Sequence, residues 1–169
     1  MATKNVYIIG PMGAGKTSIG RALARELKLT FYDSDQVVEE RSGADLLWIY
    51  DIEGEEGFRQ REIKVIAELV NLPGILLATG GGTVASVENR SALTKNGVIV
   101  YLKASLDEQL KRTSFSKRRP LSRSPDARRD KLSNLHTELE PLYQELADVI
   151  FETQNKSLPQ IIRELKKLI

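Results

Sequence analysis

The stretch Val6-Tyr7-Ile8-Ile9-Gly10-Pro11-Met12-Gly13-Ala14-Gly15-Lys16-Thr17-Ser18-Ile19 runs from an apolar strand through a glycine-rich loop into a helix, and its reading decides the fold. Val6 to Ile9 has the β-branched and aromatic character of a buried strand. Ile19, Leu23 and Leu27 then recur on one helical face. Between them Gly10 to Thr17 has the spacing of a P-loop, in the strand-to-helix setting that motif requires. Glycines let the backbone curl until its N–H groups face a chain of phosphates, and the helix N-terminus adds a favourable dipole. Lys16 is placed to reach the β- and γ-phosphates, and the Thr17 hydroxyl to ligate Mg²⁺. The candidate nucleotide-binding residues are Gly13, Ala14, Gly15, Lys16, Thr17 and Ser18. The competing reading is a glycine-rich turn that binds nothing.

Working outward, strand-like runs recur at Thr30 to Asp33, Gly74 to Thr79, Val98 to Leu102 and Asp148 to Phe151. Helical patterns separate them, with Ile63, Ile66, Ala67 and Val70 on one face and Leu158, Ile161, Ile162, Leu165 and Leu168 on another. Apolar strands alternating with amphipathic helices predict an α/β fold, a parallel sheet covered on both faces. Ligands in such folds bind beyond the carboxyl ends of the strands. Thr113 to Asp130, rich in Ser, Arg, Lys and Pro, reads as a mobile loop followed by a helix.

The 169 residues suit one domain, without internal repeats or a linker. A hydrophobic fraction of 41% with 28% charged residues excludes disordered and fibrous classes. A net charge of +2 demands neither a nucleic-acid nor a membrane partner. The absence of cysteine rules out disulfide frameworks and thiolate metal sites, and one histidine argues against a multi-histidine centre. No apolar run approaches the roughly 20 residues of a membrane-spanning helix, and Val6 to Ile9 is too short for a secretory signal. The expected location is cytoplasmic.

Four further constellations lie at strand ends or helix starts. Asp33 and Asp35 flank Ser34 after the second strand. Asp33 suits a role in holding the metal, and Asp35, one pleat further along the same side, suits accepting a proton from a substrate hydroxyl. A helix N-cap is the alternative. Gly80-Gly81-Gly82 follows the third strand and permits either close approach of backbone to ligand or a flexible turn. Arg59, near the start of a helix opening at Gly54, suits binding of an anionic substrate, or pairing with Glu55, Glu56 or Glu62 on a solvated surface. Lys117-Arg118-Arg119 and Arg123 would bring cations to a transferring phosphoryl group if the loop closes. Nucleic-acid binding is the rival there, with only Phe115 as a stacking aromatic.

Over essentially its whole length the chain resembles the bacterial shikimate kinases. The likeness rests on Gly10 to Thr17, Asp33-Ser34-Asp35, Gly54 to Arg61 with Phe58-Arg59, Gly80 to Gly82, Arg119-Pro120-Leu121 and Pro141-Leu142-Tyr143, in the family's order. It implies a P-loop NTPase fold resembling nucleoside monophosphate kinases: a five-stranded parallel sheet in the order 2-3-1-4-5, with helices on both faces and a mobile lid. It also implies a single kinase domain over 1–169, with a substrate-binding helical region at about 34–62 and the lid at about 113–124. The implied reaction is transfer of the γ-phosphate of Mg-ATP to the 3-hydroxyl of shikimate, on the route to chorismate and aromatic amino acids. The implied catalytic residues are Lys16, Asp35 and Arg119. Thr17 and Asp33 would hold Mg²⁺. Asp35, Arg59, Gly80, Gly81 and Gly82 would bind shikimate, and Arg112 would stack on adenine. The implied partners are ATP and shikimate alone, acting on a monomer with no nucleic acid and no membrane. One position departs from the pattern: the family normally has an arginine two residues before Pro-Leu-Tyr, sharing the substrate carboxylate, and here that residue is Leu139, at helical spacing with Leu132 and Leu135.

Overall fold

The computed structural model describes residues 3–113 and 125–169. Five strands form one sheet: β1 (Asn5–Ile9), β2 (Thr30–Asp33), β3 (Ile75–Ala78), β4 (Gly97–Lys103) and β5 (Val149–Glu152). They lie in the order β2-β3-β1-β4-β5 and every adjacent pair is parallel, the expected 2-3-1-4-5 arrangement. The connecting helices are α1 (Lys16–Leu27), α2 (Ser34–Ser42), α3 (Leu46–Leu69), α4 (Val87–Leu93), α5 (Leu106–Thr113), α6 (Pro125–Leu146) and α7 (Leu158–Leu168). No described helix is long and apolar enough to cross a membrane.

The alternation of strand side chains divides the core into two layers. Tyr7, Ile9, Ile75, Leu77, Ile99 and Tyr101 point to one face, against Phe58, Val65, Ile66 and Leu69 of α3 and Leu139 and Tyr143 of α6. Val6, Ile8, Leu76, Val100 and Leu102 point to the other, against Ile19 and Leu23 of α1 and Ile161, Ile162 and Leu165 of α7. Burying each such side chain stabilises the fold by about 1.5–3 kcal/mol. The central strand is therefore fixed on both sides, and the loop that follows it has a rigid base. The Asn5 side chain also ties β1 to β3, donating to the Leu72 carbonyl at 2.8 Å and accepting from the Ile75 amide at 3.0 Å.

Several helix faces differ from the sequence expectation. On α3, Ile66 is buried and Val70, just beyond its end, is buried too, but Ala67 is exposed and Ile63 only half-buried, while Val65 and Leu69 carry the buried stripe. On α7, Leu158 and Leu168 are exposed, so its buried face is Ile161, Ile162 and Leu165 alone. The helical stretch bearing Arg59 opens at Gly54, as the sequence predicts, where φ of 74° and ψ of −179° interrupt the helical path. The other stretch of α3, from Leu46 up to that break, goes beyond the sequence expectation. The spacing of apolar residues could not show this, because the break changes the phase of the face on either side. Of the segment read as a loop and then a helix, the helix begins at Pro125, whereas Lys117, Arg118, Arg119 and Arg123 lie outside the described residues.

Candidate active site

The loop between β1 and α1 curls because Gly13 and Gly15 hold φ of 82° and 87°, the left-handed region that side chains disfavour. Gly15 is the N-cap of α1, so the first helical amides, including those of Lys16, Thr17 and Ser18, open into the loop. Lys16 is buried with them, and its Nζ donates to the Gly10 carbonyl at 2.6 Å and the Pro11 carbonyl at 2.8 Å. Arg112 reaches the loop from α5, donating to the Gly13 carbonyl at 2.8 Å while pairing with Glu108 at 3.5 Å.

Asp33 and Asp35 are not pleat neighbours. β2 ends at Asp33, which is itself the N-cap of α2, and Asp35 stands in the first turn of that helix. The N-cap reading is realised on one oxygen of the Asp33 carboxylate, and the other oxygen faces Thr17. Asp33 Oδ1 accepts from the Gln36 amide at 3.2 Å, and Oδ2 accepts from the Thr17 hydroxyl at 2.7 Å. Thr17 and Asp33 thus bring hard oxygen donors together beside the phosphate loop, the donor chemistry that magnesium takes.

Each of the three consecutive glycines makes room for a different neighbour. A Cβ on Gly80 would stand 2.8 Å from Asp35 Oδ1, one on Gly81 3.0 Å from Met12 Cγ, and one on Gly82 2.7 Å from the Arg59 guanidinium. The segment is therefore a seat for the acidic and basic side chains rather than a slack turn. Its carbonyls are held as well, since the Tyr143 hydroxyl of α6 donates to the Gly81 carbonyl. Tyr143 stacks on Tyr101 with centroids 5.0 Å apart, and Tyr101 donates to Glu140. Burial first, and then Glu140, push the Tyr101 hydroxyl pKa upward, so it remains a donor.

Arg59 pairs with a glutamate, but not on a solvated surface. Its side chain is 14% exposed, pairs with Glu62, and approaches Glu55 at 3.8 Å, yet it also lines a cavity. Glu62 is wholly buried, and it accepts from the Thr83 hydroxyl at 2.7 Å and from the Asn89 amide at 3.2 Å. Burial pushes the Glu62 carboxyl above its usual range against the pull of Arg59 and Thr83, and Asp35 adds to the rise. The cavity, about 350 Å³, runs between the phosphate loop at Pro11 and Met12, Gly81 and Gly82, Arg59, and the α6 residues His136 and Leu139. Asp35 and Gly80 are not part of its lining; Asp35 stands against Gly80, the residue before Gly81.

Sequence reasoning named Glu62 only as a surface partner of Arg59, missed Thr83 and Asn89, and gave Tyr143 no role of its own. A signal for Glu62 was present, because it lies at helical spacing with Phe58, Val65, Ile66 and Leu69, a charge on an apolar stripe. Leu139 extends the packed stripe with Leu132, as its spacing predicts, and is 5% exposed while lining the cavity beside Leu135. Arg119 lies outside the described residues.

Comparison with known proteins extends this geometry. A family model described as shikimate kinase matches residues 12–169. A shikimate kinase of Legionella pneumophila (strain Corby) is 54% identical over 166 residues, covering 98% of this chain and 94% of that one. One from Vibrio cholerae is 47% identical over the same length, covering 98% and 95%. Among solved structures, a shikimate kinase from Acinetobacter baumannii in complex with shikimate superposes with a TM-score of 0.93 at 41% identity, covering 98% of this chain and 92% of that one. A gluconokinase from Sinorhizobium meliloti, at 18% identity and a TM-score of 0.61, shares the fold.

Proposed function

The chain belongs to the shikimate kinase family, and we propose from that premise how its own residues carry the phosphoryl transfer. The protein phosphorylates shikimate with ATP, on the route to the aromatic amino acids. The observation that carries the residue assignment is the seating of Asp35 and Arg59 against two glycines of one segment, beside the loop that holds Lys16.

The amides of Gly13 to Ser18 and Lys16 hold the ATP phosphates. Lys16 then exchanges the Gly10 and Pro11 carbonyls for phosphate oxygens, a replacement of neutral acceptors by charged ones that strengthens its hydrogen bonds. Arg112, already against the loop, covers the adenine. Thr17 and Asp33 would hold Mg²⁺, since their adjacent oxygens suit it. When bound, the ion neutralises charge on the β- and γ-phosphates.

Arg59 takes the shikimate carboxylate, and the backbone of Gly80 to Gly82 lines the ring. Asp35 orients the attacking hydroxyl. The hydroxyl oxygen forms the new bond to the γ-phosphorus, the bond from that phosphorus to the β–γ bridging oxygen breaks, and ADP leaves. The hydroxyl proton passes to Asp35. Such transfers involve little covalent chemistry by the protein, so placement and charge supply most of the acceleration. Arg119 would add positive charge at the transferring group.

The reading takes the chain as a single domain and a monomer acting on small molecules, without nucleic acid or membrane. The lack of cysteine and the bacterial relatives support a cytoplasmic location. Asp35→Asn tests the assignment: kcat should fall at least 100-fold, on the scale of general-base catalysis at about 10²–10⁴, with ATP affinity within twofold. Retention of more than a tenth of native kcat would remove Asp35 from the role.

A further inference from the structure

Among the described residues, the wall of the cavity carries little uncommitted positive charge. Arg59 is matched inside the protein by Glu62 and at the surface by Glu55, and Asp51 and Glu55 both belong to the wall. Lys131 also lines it but is exposed to solvent. An anionic acceptor held by Arg59 alone would therefore compete with carboxylates already present. A second donor in the same wall changes that balance.

His136, the one histidine of the chain, stands on α6 one turn before Leu139 and lines the cavity. It is half-buried, and its Nδ1 is shut off from solvent without a hydrogen-bond partner among the described residues. Leu132, Leu135 and Leu139, which line the cavity with it, have no side-chain group that could partner that nitrogen. Nε2 is consequently the ring nitrogen a ligand can reach, and the one on which a hydrogen finds an acceptor. None of the roles assigned above uses it.

We propose that His136 is a binding residue for the acceptor, donating from Nε2 to an oxygen of the shikimate carboxylate that Arg59 also holds. The two groups approach from different helices, α3 and α6, so the carboxylate is fixed in orientation as well as attracted. The proposal rests on the cavity being the acceptor site. It also makes a distinction between side chains of similar size: an amide at the Nε2 position replaces the donor, and an amide at the Nδ1 position does not.

The test compares His136→Leu, His136→Gln and His136→Asn, with folding checked by thermal melting. His136→Leu should raise KM for shikimate about tenfold, the scale of one hydrogen bond to a charged group, with kcat and KM for ATP within twofold. Glutamine, whose amide nitrogen reaches the Nε2 position, should recover KM to within about threefold of native, and asparagine should resemble leucine. A His136→Leu protein with unchanged KM for shikimate overturns the proposal, as does a glutamine variant no better than leucine or a parallel rise in KM for ATP. A native protein without shikimate-dependent turnover overturns the functional reading and the proposal together.

Discussion

Substituting alanine for Gly80 separates what the active site needs from what the fold needs. The backbone of Gly80 lies outside the left-handed region, so it accepts an alanine without strain. The obstacle is Asp35. A Cβ would stand 2.8 Å from its Oδ1 and 3.3 Å from its Cγ and Oδ2, so the carboxylate must retreat by about 0.5 Å to reach ordinary contact, a large displacement for a reacting group. That carboxylate ends a flexible side chain, and its movement opens no cavity in the core. Stability should change by less than about 1 kcal/mol, the range of substitutions that leave packing intact. The attacking hydroxyl, however, loses its acceptor geometry. Misplacement of this size costs about 10- to 100-fold in kcat, or about 1.4–2.7 kcal/mol of transition-state stabilisation. The assay is ADP release coupled to a dehydrogenase at saturating ATP and shikimate, beside a thermal melt of the same sample. A Gly80→Ala enzyme with native kcat would refute the seating of Asp35 as a catalytic feature. A loss of more than about 3 kcal/mol in stability would refute the claim that only a side-chain end must move.

Other expectations follow from the same geometry. The Glu62 carboxyl has its pKa raised above the usual value of 4.5 by burial, so above that pH the unfolded chain gives up this proton before the folded one does. The folded state then binds more protons, and this group's contribution makes stability fall as pH rises from 4.5 to the raised value. In Glu62→Gln that component disappears, so urea denaturation between pH 4 and 7 should show the variant gaining on the native protein with rising pH; parallel curves would contradict it. Tyr143→Phe leaves the Gly81 carbonyl without its donor, which should cost about 1–2 kcal/mol of stability and raise KM for shikimate severalfold in melting and kinetic assays. Leu139→Arg places a guanidinium in the wall that Arg59 shares, and KM for shikimate should fall about tenfold; an unchanged or higher KM would mean that affinity is not limited by this position.

The sheet was legible because its signals are local and agree with one another. Val6 to Ile9, the glycine loop and the Ile19 face fix one strand-loop-helix unit, and the other strands repeat its composition. The candidate side chains Lys16, Thr17, Asp33 and Asp35 were legible for the same reason, since they sit at a loop or helix start next to a strand end, whereas Arg59 follows the Gly54 break within α3. Their supports were not. The spacing of Glu62 with Phe58, Val65, Ile66 and Leu69 marks it as a charge on an apolar stripe, but its partners Thr83 and Asn89 lie 21 and 27 residues away. The triple glycine reads as backbone approaching a ligand or as a flexible turn, and neither reading shows that Asp35, Met12 and Arg59 occupy the space where its side chains would be. The contact of Tyr143 with Gly81 spans 62 residues of sequence, a distance that no periodicity encodes.

The most direct test of the account is ADP formation from Mg-ATP by the purified protein with shikimate, gluconate, AMP and CMP supplied in turn. Turnover with shikimate and background rates with the other three is the expected result. Turnover with gluconate or a nucleoside monophosphate, or none with shikimate while ATP still binds, would contradict the assignment of Asp35 and Arg59 as a shikimate site.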